Sequence, residues 1–271
     1  MGTTLSASGH EFGGALELLN VEQPDRVRAV HRGFLEAGAQ VLQTNTFQGS
    51  RPVLDNHGLG DRTVELNTAA AALARELAGD RAFVAGDIGP TGKLLEPYGD
   101  FEQAAARAAF EEQARALAEA GVDFLIVETM SAIEEAVLAV AAAAATGLPV
   151  VASMAFLPVG RTDFGVSTQQ AADQLAEAGA IVVGANCGVL ASAEMVEIIR
   201  LFREATSLPL IAQPNAGRPQ RTDSGVIFPE TPEAMAEAAP RFREYGATLI
   251  GGCCGSTPDH IRAIAARLEG E

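Results

Sequence analysis

Four stretches of this 271-residue chain repeat one pattern, in which a helix-like segment closes on Ala-Gly or Tyr-Gly and an apolar run follows at once: EAGAQVLQTN at 36–45, EAGVDFLIVE at 119–128, EAGAIVVGAN at 177–186 and EYGATLIGGC at 244–253. The glycines, Gly38, Gly121, Gly179 and Gly246, sit where a helix C-terminus needs a residue tolerant of left-handed geometry. Each therefore marks a helix-to-strand junction. Three more short strands fit between them, Ala82–Gly86, Pro149–Met154 and Pro209–Gln213. Runs such as Phe124–Val127 and Ile181–Val183 lack polar alternation, as parallel strands covered on both faces do.

Strands and helices alternating every roughly 25–40 residues, with no Pro-, Ser- or charge-rich linker, predict one (β/α)8 TIM barrel spanning residues 1–271. Only seven strands are visible. The first strand is missing or truncated, so the eighth would precede Met1 or be replaced by Met1–Leu5. The helices are signalled by Val27, Val30, Phe34 and Leu35 on one face and by capping boxes at Ser131/Glu134 and Ser167/Gln170. Thr231-Pro232 and Thr257-Pro258 add two hydroxyl caps before an N1 proline.

A net charge of −16 repels phosphate backbones and anionic bilayers, so no nucleic acid and no membrane is expected as a partner. No apolar run approaches the ~20 residues of a bilayer span, and the N-terminus lacks the basic-then-apolar order of a signal peptide. A cytoplasmic location is expected. Three cysteines, two of them adjacent, make a poor disulfide framework and fit metal or thiol chemistry better.

In a parallel barrel the active site forms at the C-terminal strand ends. These read Thr44-Asn45-Thr46, Asp87 through Gly92, Glu128-Thr129, Asn186-Cys187-Gly188, Pro214-Asn215-Ala216-Gly217 and Gly252-Cys253-Cys254-Gly255. All three cysteines fall at such tips. Three thiolates with a fourth position open describe a catalytic zinc site rather than a closed structural one. Buried small hydrophobes and a redox dithiol are the alternative readings of Cys187, Cys253 and Cys254; no Cys-x-x-Cys spacing is present. Lys93, the chain's one lysine, lies in a loop past Gly92, which disfavours an imine-forming lyase or aldolase. His10, His31, His57 and His260 are read as structural or solvated.

The segments Gln43-Thr44-Asn45-Thr46-Phe47, Gly89-Pro90-Thr91-Gly92, Glu128-Thr129, Gly184 through Cys187, Pro214 through Gly217 and Gly251 through Pro258 resemble the homocysteine S-methyltransferase family. The stretch from Glu17 through Phe47 is closest to the homocysteine-binding module of cobalamin-dependent methionine synthase. The resemblance implies a (β/α)8 barrel with Zn(2+) held by Cys187, Cys253 and Cys254. It also implies that Glu128 contacts the homocysteine amino group, against the reading of Glu128 as a helix-start acid. Asn186, Asn215, Asn45 and Thr46 are candidate substrate-binding residues, with turn formation or support of the cysteine loops as the alternative.

The implied reaction is zinc-dependent methyl transfer to the thiol of homocysteine, giving methionine. Donors used by relatives are methylcobalamin loaded from a methylated folate, S-methylmethionine, S-adenosylmethionine and betaine. No cobalamin or folate module fits in 271 residues, so methylcobalamin would come on a separate cobalamin- or folate-binding partner protein. Two alternatives stand: a non-catalytic or truncated module that binds homocysteine or zinc, and a methyltransferase for a related thiol or selenol. Relatives also carry a first strand with an Asp-Gly pair before the motif that here is Met1-Gly2-Thr3.

Overall fold

A computed structural model describes residues 1–7, 14–222 and 225–270; His10 lies outside them. Seven strands form one curled, all-parallel sheet in sequential order: β1 Val41–Gln43, β2 Phe83–Ile88, β3 Phe124–Met130, β4 Val150–Met154, β5 Val182–Asn186, β6 Leu210–Gln213 and β7 Ala247–Ile250. The main connections are helices on the outer face, Thr63–Ala78, Gln103–Glu119, Ile133–Ala144, Thr168–Glu177, Ser192–Ala205 and Ala239–Glu244, with Pro24–Glu36 before β1 and Pro258–Glu269 after β7. This is the (β/α)8 barrel architecture with seven strand positions filled. All four junction glycines have positive φ, from 84° to 116°.

The absence of polar alternation has its explanation in two apolar layers. Leu42, Val84, Leu125, Val127, Val150, Val183 and Leu210 pack outward against the helices. Their neighbours Ala85, Ile126, Val151, Val182 and Ile211, with Val41 and Leu249, fill the barrel's lower interior. Both faces of each strand are thus removed from water, the condition that makes parallel strands read as continuous hydrophobic runs.

Met1–Leu5 does not supply the eighth strand. Gly2–Ala7 is helical, and Leu5, fully buried, packs with Leu19, Val27 and Val30 on the outer helix layer. The helix closes its own bonds, Leu5 N to Met1 O at 3.0 Å, where a strand would need ladder partners in register on both sides. Between β1 and β7 lies a groove of about 370 Å³, lined by Val41, Gln43, Leu249, Gly251, His31 and Phe34 among others.

Other local expectations divide. Ser167/Gln170 forms a full capping box and Thr231 Oγ1 accepts from Ala234 N. Thr257 pairs with His260, whose Nδ1 is 2.9 Å from the hydroxyl and whose Nε2 meets Glu230 O at 3.0 Å, so His260 is structural. Ser131 caps nothing: the helix begins at Ile133 with Ala132 as its N-cap, and Ser131 O accepts from Thr162 Oγ1. Of the two readings of His31, structural or solvated, the fold gives the first: it is buried, 1% exposed, on the groove side of Pro24–Glu36. No helix among the described residues is long and apolar enough to cross a membrane.

Candidate functional site

Two residues beyond the apolar interior layer, or four on β5, the same strands change character. Inward positions become Gln43 on β1, Asp87 on β2, Glu128 on β3, Ser153 on β4, Asn186 on β5 and Gln213 on β6, the alternation of the pleat carrying each toward the axis. Glu128 is 8% exposed and Asp87 4%. Such groups must find partners. Asn186 Nδ2 donates to Glu128 Oε2 at 3.0 Å and Gln43 Nε2 to the same oxygen at 3.4 Å. Gln213 Nε2 donates to Gln43 Oε1 at 3.0 Å, spanning the mouth from β6 to β1.

Asn186 is the hub. Its Oδ1 accepts from Thr129 N at 2.8 Å and Ser153 Oγ at 2.7 Å, and its Nδ2 also meets Thr129 Oγ1 at 2.7 Å and Cys253 Sγ at 3.8 Å. Register between β3 and β4 shifts between Val127 and Met130, a bulge that carries Glu128-Thr129. Glu128 therefore belongs to a strand, not to a helix start.

The three cysteines meet above this layer. Cys187 Sγ lies 3.7 Å from Cys254 Sγ, and the three sulfurs all lie within 4.8 Å of one another. Cys187 follows β5; Cys253 and Cys254 follow β7. Asn215, fully buried after β6, ties the two loops together: its Nδ2 donates to Gly188 O at 2.7 Å and its Oδ1 accepts from Cys254 N at 3.1 Å. Gly255, φ 78°, closes the loop where an added Cβ would lie 2.2 Å from Phe228 Cβ. Among the described residues, the only non-glycine residues with positive φ are Thr129 (60°) and Cys187 (56°). Both stand in this mouth, where such backbone costs of order 1–3 kcal/mol each and is held by the surroundings.

The electrostatics is that of buried carboxyls and thiols on which one nearby cation, the Met1 amino group, acts. Burial, opposed in part by the charge of the Met1 amino group and then by the Gln43 hydrogen bond, leaves Glu128 raised to about 6. Burial and then the Glu128 charge push Asp87 well above the usual carboxylate range. Cys254 is lowered to about 3 by sulfur contacts with Cys187 and Cys253, whereas those contacts, Cys187 first, and burial push Cys253 up. Cys187 is raised to about 12: the Cys253 contact lowers it, but Cys254 and burial outweigh that. One thiolate is tolerated alone; three need a cation. Three sulfurs from two loops at this spacing fit a soft or borderline divalent metal such as zinc.

Of the other residues singled out above, Asn45 sits 4% exposed. Its amide donates to Leu16 O (2.8 Å) and Asn20 Oδ1 (3.0 Å). Thr46, fully buried, donates to Asp87 O at 2.7 Å and touches Thr44 Oγ1 at 2.6 Å. Sequence reasoning assigned no role to Asp87, Gln43 or Gln213. The available signal was parity: each is polar at an inward position directly beyond an apolar strand.

Fold and site together define a class, a parallel β/α barrel whose C-terminal mouth carries a three-cysteine cluster able to hold a metal ion. Residues 1–268 match the homocysteine S-methyltransferase family model, and the chain belongs to that family. It is 33% identical over 287 residues to methionine synthase of Mycobacterium tuberculosis, covering 99% of this chain and 24% of that protein. It is 38% identical over 273 residues to mouse betaine–homocysteine S-methyltransferase 1, covering 93% of this chain and 66% of that protein. The chain thus spans about a quarter of the first relative and just under two thirds of the second. Among solved structures, the homocysteine methyltransferase MmuM from Escherichia coli superposes with a TM-score of 0.84 in its oxidized form, at 26% identity over 98% of this chain and 93% of that one. Its metallated form gives 0.83 at 25% identity.

Proposed function

We propose that the protein transfers a methyl group to the thiol sulfur of homocysteine, giving methionine, with zinc held by Cys187, Cys253 and Cys254. The observation that carries the reading is the trio of sulfurs within 4.8 Å of one another at a barrel mouth. A free thiol titrates near ~8.5 and is mostly protonated at neutral pH. Cys187, Cys253 and Cys254 would hold the zinc, which would supply the Lewis acidity that lowers the pKa of a substrate thiol. The protein's own groups then orient the acceptor: Asn215 holds both cysteine loops, and Glu128, steadied by Asn186 and Gln43, faces the axis as a carboxylate for the substrate ammonium. In the transfer, a carbon–sulfur bond forms as the bond from methyl to its carrier breaks, and the thiol proton leaves to solvent.

The relatives' names, methionine synthase and betaine–homocysteine S-methyltransferase, support the acceptor and leave the donor open between them. The test offers homocysteine with methylcobalamin, free or on a separate carrier protein, S-methylmethionine, S-adenosylmethionine and betaine in turn. Methionine formed with any of them, and lost on chelation of the metal, is the expected result. Homocysteine binding without turnover from any donor replaces the reading with sequestration, and metal content unchanged when each cysteine in turn becomes serine rejects it.

A further inference from the structure

We propose that Thr3 is a positioning residue for the metal cluster: its hydroxyl, carried on the helix Gly2–Ala7, fixes the turn from which the Cys254 sulfur projects. The proposal deepens the reading above and rests on it for the metal. Cys253, Cys254 and Gly255 present three consecutive backbone N–H groups, and each has its own acceptor. Cys253 N donates to Pro214 O at 2.7 Å, Cys254 N to Asn215 Oδ1 at 3.1 Å and Gly255 N to Thr3 Oγ1 at 3.2 Å. Two of these acceptors belong to the segment after β6. The third comes from 252 positions away in the sequence.

The bond from Gly255 matters because of what it completes. A peptide unit is planar, with its C=O and N–H pointing to opposite sides. In the unit that joins Cys254 to Gly255, the oxygen accepts from Ala216 N at 2.9 Å and the nitrogen donates to Thr3 Oγ1. Pinned on both sides, the plane cannot pivot, so the backbone torsions on either side of it are set, among them the left-handed φ of 78° at Gly255. Thr3 is itself held firmly. Leu5, two residues on, is fully buried among Leu19, Val27 and Val30, and a Cβ added at Gly2 would lie 3.3 Å from Leu16 Cδ1. The outer helix layer therefore reaches the cysteine turn through one hydroxyl. A side chain of the same shape without an acceptor would leave the helix packed and the turn free to pivot.

The experiment compares the native protein with Thr3→Val, which keeps the branched shape and removes the acceptor, and Thr3→Ser, which keeps the acceptor. Zinc affinity is read by competition with a chelator, and the geometry of the sulfur cluster by the visible bands of cobalt(II) bound in place of zinc. Thr3→Val is expected to weaken zinc binding about 3–10-fold, the effect of one neutral hydrogen bond, and to alter the cobalt bands. Thr3→Ser is expected to match the native protein in both. Thr3→Ala repeats the test if the valine prevents folding. Native affinity and native bands in the variants without the hydroxyl overturn the proposal, and so does a loss that Thr3→Ser shares, which would assign the effect to helix packing. A native protein that binds neither ion rejects the metal reading instead. The turn is then judged by hydrogen exchange of the Gly255 amide, faster in Thr3→Val and native in Thr3→Ser if the proposal holds, and unchanged in both if it fails.

Discussion

The lower and upper ends of the barrel interior are built from the same strands two to four residues apart, yet they are held to different standards. At the lower end Ala85, Ile126, Val151, Val182 and Ile211 fill space with no polar atom to satisfy. At the upper end Asp87, Glu128, Asn186 and Gln213 carry interlocking hydrogen bonds and, in Thr129 and Cys187, left-handed backbone. The contrast teaches a division of labour: apolar packing supplies the stability from which the mouth draws its strained backbone and its buried carboxyl groups.

The sharpest way to break that comparison is at the sulfurs. Cys254→Ser should reduce bound zinc from about one per chain to a trace and methyl transfer on the order of 10³-fold, while circular dichroism stays native. Zinc retained at full stoichiometry would remove the functional meaning of the upper end. The converse change below, Ile126→Ala, should cost about 3 kcal/mol in denaturant unfolding through the cavity it leaves, with zinc stoichiometry at low temperature unchanged. Loss of metal without loss of stability would show the two ends are not separable.

Acidification sharpens the comparison on the flank. Burial lowers His31 to about 4, so between there and its ordinary 6.5 the unfolded chain binds the extra proton and stability falls as pH drops through that window. The buried carboxylates act with the opposite sign, their raised values favouring the fold on the acid side, so the informative quantity is a difference. His31→Leu should gain on the wild type by of order 3 kcal/mol between pH 7 and pH 4 in paired unfolding curves. A gap independent of pH would mean that His31 titrates in the fold as it does in the unfolded chain. The smallest effect is expected at Asn215, which touches both cysteine loops and no proposed ligand. Asn215→Ala should weaken zinc binding about 10–100-fold in competition with a chelator, as removal of outer-shell support does, and unaltered affinity would assign Asn215 to the fold alone.

Much of this was legible in the chain. The junction glycines and unbroken apolar runs located all seven strands because helix termination and two-sided burial are local demands that particular residues meet. The cysteines were legible as a group because the tips of parallel strands share one end. Asp87 and Gln213 were harder to read: a polar residue at a strand end resembles any turn residue until the pleat shows which way it faces. Ser131 misled because a serine three residues before a glutamate resembles a cap, whereas the strand bulge at Glu128-Thr129 delays the helix to Ile133.

The sequence by itself determined the alternation of strands and helices, the parallel sheet and the identity of the three sulfurs, since all of these follow from spacing along the chain. Only the tertiary structure decided that Met1–Leu5 is helical, that His31 is buried beside the groove between β1 and β7, and that the side chains around Glu128 close into one hydrogen-bonded layer. The last of these depends on residues from β1, β2, β3, β5 and β6, brought together by curvature of the sheet, and hydrogen-bond saturation is a property of that assembled neighbourhood rather than of any one segment.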